Sequence, residues 1–357
     1  MADKKQGPES TRETQDATPL RAVGLKTLAD YLGLCPATIS VVLNNVPGRS
    51  IPPATRQRIK DAALKFNYQP SLLARSLRNQ KTLTIGVLVP EIGDGYHSLV
   101  MGGVGDYLMN AGYFYFTAHH RHKIDLVEEY RRLFIGRGAE GIIAIDTALE
   151  HKSSVPTVAV AGHKAIPGVT NIVLDHRRAA ELALRYIYQL GHRKIAFMRG
   201  QSFSSDSGIR WTNILEVAKE MGIVVRPELT VQLQQDLTSP ELGYPAIQQL
   251  LHQRRQFTAL LCFNDIAAIG AIRALRDADV RVPEDISVMG FDDVKSAAYH
   301  NPSLTTIRQP MHDMGETAAR ILLERIRGAQ TATQEIAVEP ELIVRESTQP
   351  PCSRQDK

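Results

Sequence analysis

The stretch TLADYLGLCPATISVVLNN, residues 27–45, reads as two short helices hinged at a glycine. Thr27 is placed to cap the first helix, with Leu25 just before it as a hydrophobic staple. Leu28, Tyr31 and Leu32 supply the buried side of that helix. Gly33 falls where a helix end turns left-handed, a conformation that a Cβ disfavours. Pro36 suits the first position of a second helix, because the amide it lacks would have had no partner there. Ile39, Val42 and Leu43 recur at i, i+3 and i+4 and make one apolar stripe. The other face presents Pro36, Ala37, Ser40, Val41 and Asn44.

A third helix is predicted from about Ala54 to Phe66. Ile59, Ala62, Ala63 and Phe66 form its stripe, and Arg56, Arg58, Lys60 and Lys65 decorate the rest. Three short helices around a small core also occur as plain structural subdomains; here the charge decides. Residues 21–81 hold ten Lys/Arg against only Asp30 and Asp61, although the whole chain of 357 residues carries a formal net charge of +4. A compact basic head on a slightly acidic body points to a polyanion. A basic helix pair of this spacing matches a helix-turn-helix unit whose second helix enters the major groove of DNA. Next comes YQPSLLARSLRNQK, residues 68–81. Pro70 breaks the preceding helix. The two possible turns from Ser71 to Arg78 are too short to be stable alone. A basic segment with a projecting leucine meets the needs of a minor-groove wedge, and a linker helix is the plainer alternative.

LKTLADYLGLCPATISVVLN followed by TRQRIKDAALKFNYQPSLLARSL resembles the lactose-repressor/galactose-repressor (LacI/GalR) family of bacterial transcription regulators, and the likeness covers about residues 24–348. The resemblance implies that Pro36, Ala37 and Val41 contact bases. It implies that Leu77 is levered into the central base step of a palindromic operator, and that Ala74 allows close approach of a paired hinge helix. The wider DNA-binding set that it implies adds Thr27, Thr38, Ser40, Asn44, Arg56, Tyr68 and Arg78. The sequence departs from the family pattern at Val41, where many members carry an arginine able to hold guanine by two hydrogen bonds. Cys35 and Pro52 replace common capping residues, and the loop NNVPGRS is slightly long. The preferred half-site should therefore differ from that of most members.

From residue 82 the pattern changes. The short apolar runs TIGVLV, YFYFTA, GIIAID, TVAVAG, NIVLD, KIAFMRG, TALLCFN and ISVMGF alternate with helix-length segments such as 124–135, 176–190, 208–221, 241–252, 265–278 and 311–327. Alternation of this kind gives α/β architecture with parallel sheets covered on both faces. The resemblance implies a two-lobed periplasmic-binding-protein type I core, with three chain crossings and a ligand cleft between the lobes. Domain boundaries follow: a disordered polar tail over 1–23, the head over 24–69, the hinge over 70–81, the core over 82–348 and a tail over 349–357.

Ligands of such sheets bind beyond the carboxyl ends of the strands. Tyr96 and His97 follow GVLVP, and Ser204, Asp206 and Arg210 follow KIAFMRG. Asn264 follows TALLCF, Asp292 follows ISVMGF, and Gln309 follows LTTIR. Carboxylate, guanidinium and amide groups beside aromatic rings suit a small polyhydroxylated ligand, since each hydroxyl both donates and accepts. The family comparison matches Arg210, Asn264, Asp292 and Gln309 to ligand-binding positions. Asp265 and Asp293 fit equally well as helix caps, and His97 as a packing residue. The aromatic residue that the resemblance leads one to seek near position 238 is absent: Leu237 and Thr238 stand there.

Several other classes of function fit poorly. GRGAEG at 136–141 precedes a strand instead of following one, against a dinucleotide site. HHRH at 119–122 lacks a wider ligand pattern, so no metal or other cofactor is expected. No hydrolase, P-loop or HExxH motif supports an enzyme. No apolar run approaches bilayer length, and the polar N-terminus has no secretory core. Cys35, Cys262 and Cys352 are widely spaced, as in a reducing cytoplasm. The rival function is a transport-type sugar-binding protein, which the basic head opposes. The partners expected are an operator duplex, a sugar-like effector and a second copy of the chain, whose two-fold symmetry would match a palindrome.

Overall fold

The computed structural model describes residues 23–46, 48–69, 81–93, 95–162, 164–234, 239–253, 256–329 and 334–352. The hinge residues Ala74, Leu77 and Arg78, and Leu237 with Thr238, lie outside the described residues. The chain divides into two units, 1–81 and 82–357.

The first unit holds helices α1 (Leu25–Leu32), α2 (Pro36–Leu43) and α3 (Pro53–Lys65). Leu28, Ala29, Ile39, Val42, Ile59, Ala62 and Ala63 make its core. Complete burial of a side chain the size of Leu28 or Ile39 contributes about 2 kcal/mol. Gly33 ends α1 at φ 63°, and its amide donates to the Ala29 carbonyl. Two readings of α1 need correction. The helix starts three residues early, with Gly24 extended at its N-cap, so Thr27 lies inside the first turn and caps nothing. Tyr31 is 53% exposed; its ring meets that of Phe66 edge-on, 4.7 Å between centroids, and its hydroxyl accepts from Lys65 Nζ at 3.0 Å.

The second unit contains two six-stranded sheets among its described residues. The N-lobe sheet is built from β1 (Thr84–Val89), β2 (Phe114–His119), β3 (Gly141–Ile145), β4 (Thr157–Val160), β5 (Thr170–Leu174) and β11 (Glu335–Val338). Its order is β11-β5-β4-β3-β1-β2 and every pairing is parallel. The C-lobe sheet has β6 (Ile195–Arg199), β7 (Thr230–Gln232), β8 (Ala259–Leu261), β9 (Ser287–Asp292), β10 (Thr305–Arg308) and β12 (Glu341–Ile343). Its order is β12-β10-β9-β8-β6-β7, with only β12 antiparallel. The central strands are continuous apolar runs because both of their faces are covered.

In the N-lobe, α4 (Tyr96–Asn110) and α11 (Met311–Ile326) cover one face, and α5 (Ile124–Gly136) covers the other. In the C-lobe, α6 (His176–Gln189) and α7 (Ser205–Glu220) cover one face. The other is covered by α8 (Tyr244–His252) and α9 (Asp265–Asp277), with the short α10 (Lys295–Tyr299) beside them. The chain passes between the sheets after β5, after β10 and after β11. The α4–α11 crossing is unusually close: a Cβ on Gly103 would stand 1.9 Å from the His312 carbonyl oxygen, and one on Gly315 2.0 Å from that of Val100. Gln349, past the expected core boundary, is also attached to the C-lobe. The Gln349 carbonyl accepts from Ser287 Oγ at 3.0 Å and lies 2.9 Å from His192 Nε2.

Candidate functional site

In the head, α2 packs Ile39 and Val42 inward and leaves Pro36 and Ala37 exposed, with Thr38, Val41 and Asn44 half-buried. No side-chain cap bond is made at Cys35 or Pro52. Ser40, read from the sequence as part of the outward face, is instead buried at 8%. Asn44 Nδ2 donates to its carbonyl at 2.8 Å, which turns both residues toward each other one helical turn apart. Arg56 also has a local task. Its Nε donates to the Ile51 carbonyl and its Nη2 to that of Arg49, both at 3.3 Å, so it braces the loop before α3. Tyr68 is half-buried against the apolar core. Lys26, Arg49 and Lys60 remain exposed.

In the second unit, a cleft of about 780 Å³, counting its open mouth, lies between the two lobes. All eight side chains selected from strand ends line it: Tyr96, His97, Ser204, Asp206, Arg210, Asn264, Asp292 and Gln309. Arg210 is the centre of the C-lobe wall. Its guanidinium stacks 3.6 Å from the Phe291 ring centroid and 4.6 Å from that of Phe263. Its Nη1 donates to the Phe263 carbonyl at 2.5 Å, and its Nη2 to Asp206 Oδ2 at 3.4 Å. The cation is thus held between two rings and fixed at two corners, an arrangement that is strong once water is excluded.

Burial acts to raise the Asp206 carboxyl, but His176 at 3.5 Å and the Arg210 charge outweigh it and hold the group below its ordinary value. Asp292 is different. Burial dominates there and pushes it up to about 6, although Arg210 and a hydrogen bond from Gln309 Nε2 at 2.6 Å oppose the rise. Its φ of 113° is strained for a residue with a Cβ, and such strain tends to persist at working sites. Burial, with Asp206, Asp146 and Asp292 nearby, also raises the Tyr96 phenol well above its usual range, so it stays a neutral donor.

Asn264 Oδ1 accepts from the Ala267 amide at 2.8 Å as the cap of α9, which fixes the side chain at the cleft wall. Asp265 is not a cap. It is 0% exposed and accepts from Thr306 Oγ1 at 2.6 Å and from the Val294 amide at 2.9 Å. Asp293 instead pairs with Arg308 at 2.7 Å and Arg345 at 2.6 Å.

Sequence reasoning missed part of the lining. Asp146 follows β3, and Ala161 follows β4, so the strand-end rule would have found both. His97 Nε2 lies 3.3 Å from Asp146 Oδ2. Glu91 and Gln201 also reach the cleft. His122 of the N-lobe and Phe203 of the C-lobe face each other across it, with ring centroids 4.5 Å apart. The HHRH run therefore divides its roles: His120 is buried 3.0 Å from Thr147 Oγ1, while His122 belongs to the cleft. Three buried polar atoms on this lining have no protein partner: Tyr96 Oη, Arg210 Nε and Gln309 Oε1.

A model of the periplasmic binding protein-like domain matches residues 184–348. The HTH-type transcriptional repressor PurR of Erwinia tasmaniensis is 35% identical over 332 residues, which span 90% of this chain and 96% of that protein. Among solved structures, the lac repressor dimer bound to operator and the anti-inducer ONPF superposes with a TM-score of 0.81. It covers 92% of this chain and 100% of its own at 24% identity, a likeness of fold. The transcriptional regulator CelR in complex with cellobiose gives a TM-score of 0.66 at 25% identity, covering 91% of this chain and 99% of its own. No described helix is long and apolar enough to cross a membrane.

Proposed function

The chain belongs to the LacI/GalR family of DNA-binding transcriptional regulators, and from that membership we propose that it is a cytoplasmic repressor whose hold on a palindromic operator is set by a small sugar-like metabolite. The observation that carries the reading is the cleft: donors and acceptors from seven separate strand ends converge on it, and three of their polar atoms await a partner. In the head, Pro36, Ala37 and Val41 are the residues offered to base edges, with Val41 giving apolar contact where an arginine would read guanine. Thr38 and Asn44 flank them, Arg56 and Tyr68 hold the surface in shape, and the exposed lysines and Arg49 meet phosphate.

A homodimer presents two such heads to the two half-sites. The effector acts because it favours one arrangement of the lobes over another; a ligand with equal affinity for both would shift nothing. CelR forms a complex with a sugar, cellobiose, and the hydroxyl-matching lining supports the same class of ligand here. A transport-type binding protein would have no use for the basic three-helix head.

The test is selection of bound duplexes from a randomised pool by the purified full chain, with and without sugars. Enrichment of one palindrome, with affinity that changes on adding a sugar, is the expected result. Failure to enrich any duplex under either condition overturns the reading.

A further inference from the structure

We infer that the second helix of the head reads methyl groups: the base pairs it meets in each half-site are A·T pairs, recognised through the C5-methyl of thymine and not through paired hydrogen bonds to guanine or adenine. This deepens the repressor reading above and rests on it.

The first observation is what α2 lacks. In a helix-turn-helix the second helix lies in the major groove, and its N-terminal residues reach the base edges. Here that helix is PATISVVL, with no arginine, lysine, carboxylate or side-chain amide anywhere along it. Those are the groups that grip guanine, adenine or cytosine through their hydrogen-bonding edges. Pro36 and Ala37 are exposed at its N-terminal end, and Val41 stands half-buried one turn beyond Ala37. Pro36 lacks even a backbone N–H. Ser40 is buried. Thr38 keeps a hydroxyl, which bonds a donor or an acceptor alike and so discriminates little. The nearest side-chain amide, that of Asn44, sits at the opposite end of the helix as its C-cap, and its Nδ2 donates to the Ser40 carbonyl at 2.8 Å.

The second step is what an apolar surface does on the floor of the groove. Any base pair beneath Ala37 and Val41 gives up water from its polar edge and receives no hydrogen bond in exchange. Thymine alone has something to set against that loss, because its methyl is the apolar group that the major groove offers. Cytosine carries hydrogen at the same carbon. Ala37 and Val41 are four residues apart, so their side chains share one face of the helix and meet methyls of neighbouring pairs.

The experiment uses the unaltered full-length protein and the palindrome enriched by the selection above. Each thymine is replaced in turn, in both half-sites at once, by deoxyuridine, which removes the methyl and keeps the pairing. Fluorescence anisotropy gives the affinity. At two or more thymines of the half-site, uracil should weaken binding about fourfold for each methyl lost. At those positions 5-methylcytosine paired with guanine should bind more tightly than cytosine. In Val41→Ala the uracil penalty should shrink at the thymine that Val41 faces and persist at the others. A scan in which no uracil costs as much as about twofold overturns the inference. So does a set of penalties that Val41→Ala leaves unchanged, with calorimetry showing that the variant's head is folded. Enrichment of no duplex at all would sink the repressor reading itself, a different result from a palindrome that is bound without regard to its methyl groups.

Discussion

The head and the core hold themselves together by different means. The head rests on one small apolar cluster, its α2 and α3 begin without side-chain caps, and Arg56 is spent on bracing a loop. The core has deep apolar layers on each sheet and, between its lobes, a buried polar network around Arg210, Asp206, Asp292 and Gln309. In the head, shape is apolar and function is charge on the outside. In the core, the apolar layers provide stability while function depends on charges that are largely buried. The two units should therefore respond to different degrees to salt and to mutation of the head's core.

Salt should separate them most. Operator affinity is expected to fall roughly 100- to 1000-fold between about 50 and 200 mM salt through counterion release, while effector affinity, set by groups shielded from ions, changes little. Fluorescence anisotropy and calorimetry over the same salt series would show it; parallel slopes would erase the distinction. Next in size is Ile39→Ala. A cavity in so small a core should cost about 3 kcal/mol, most of what a domain of this size has in reserve. Calorimetry should then show the head's transition lost and the core's unmoved. Arg210→Ala should lower effector affinity about 100-fold or more, because it leaves Asp206 buried beside an empty sandwich of Phe263 and Phe291. Operator binding without effector should be retained; a normal effector response in that variant would move the site elsewhere.

The smallest effect should be one of pH. Asp292 is raised from an ordinary value of 3.8 to about 6, so between those values the folded chain keeps a proton that the unfolded chain has released. Its contribution to stability is therefore greatest on the acid side, declines as pH climbs toward 6, and is level above that. Effector affinity should run the other way, rising a few-fold across pH 6 as the carboxylate forms to accept a ligand hydroxyl. Asp292→Asn should flatten that rise in calorimetric titrations at pH 5.5 and 7.5.

The alternation of strands and helices was legible because buried parallel strands are unbroken apolar runs: TIGVLV and GIIAID coincide with β1 and β3 within a residue. The helix Tyr96–Asn110 was not. Its Gly102, Gly103 and Gly105 lower helix propensity. At Gly103 the reason lies in α11, which approaches too closely for a Cβ, and no local pattern announces a contact two hundred residues away. Strands β7, β11 and β12 are three or four residues long and lie at or beside the sheet edges, too short to show a period. The cleft was readable wherever the strand-end rule was applied. Asp146 was passed over because GIIAID was read for its apolar run and not for its last residue. Ser40 was misplaced because a helical wheel shows which side faces out but not that Asn44 folds back over it.

Neither lobe is a continuous piece of chain. The N-lobe sheet ends with β11, residues 335–338, and its covering α11 begins only at Met311, after nearly all of the C-lobe has been made. During synthesis the first lobe must therefore wait, with the surface of Val100, Val104 and Leu108 uncovered, until α11 leaves the ribosome. A premature stop before residue 311 would leave no half-sized sensor behind: it would strand an unfinished N-lobe, open to aggregation and degradation.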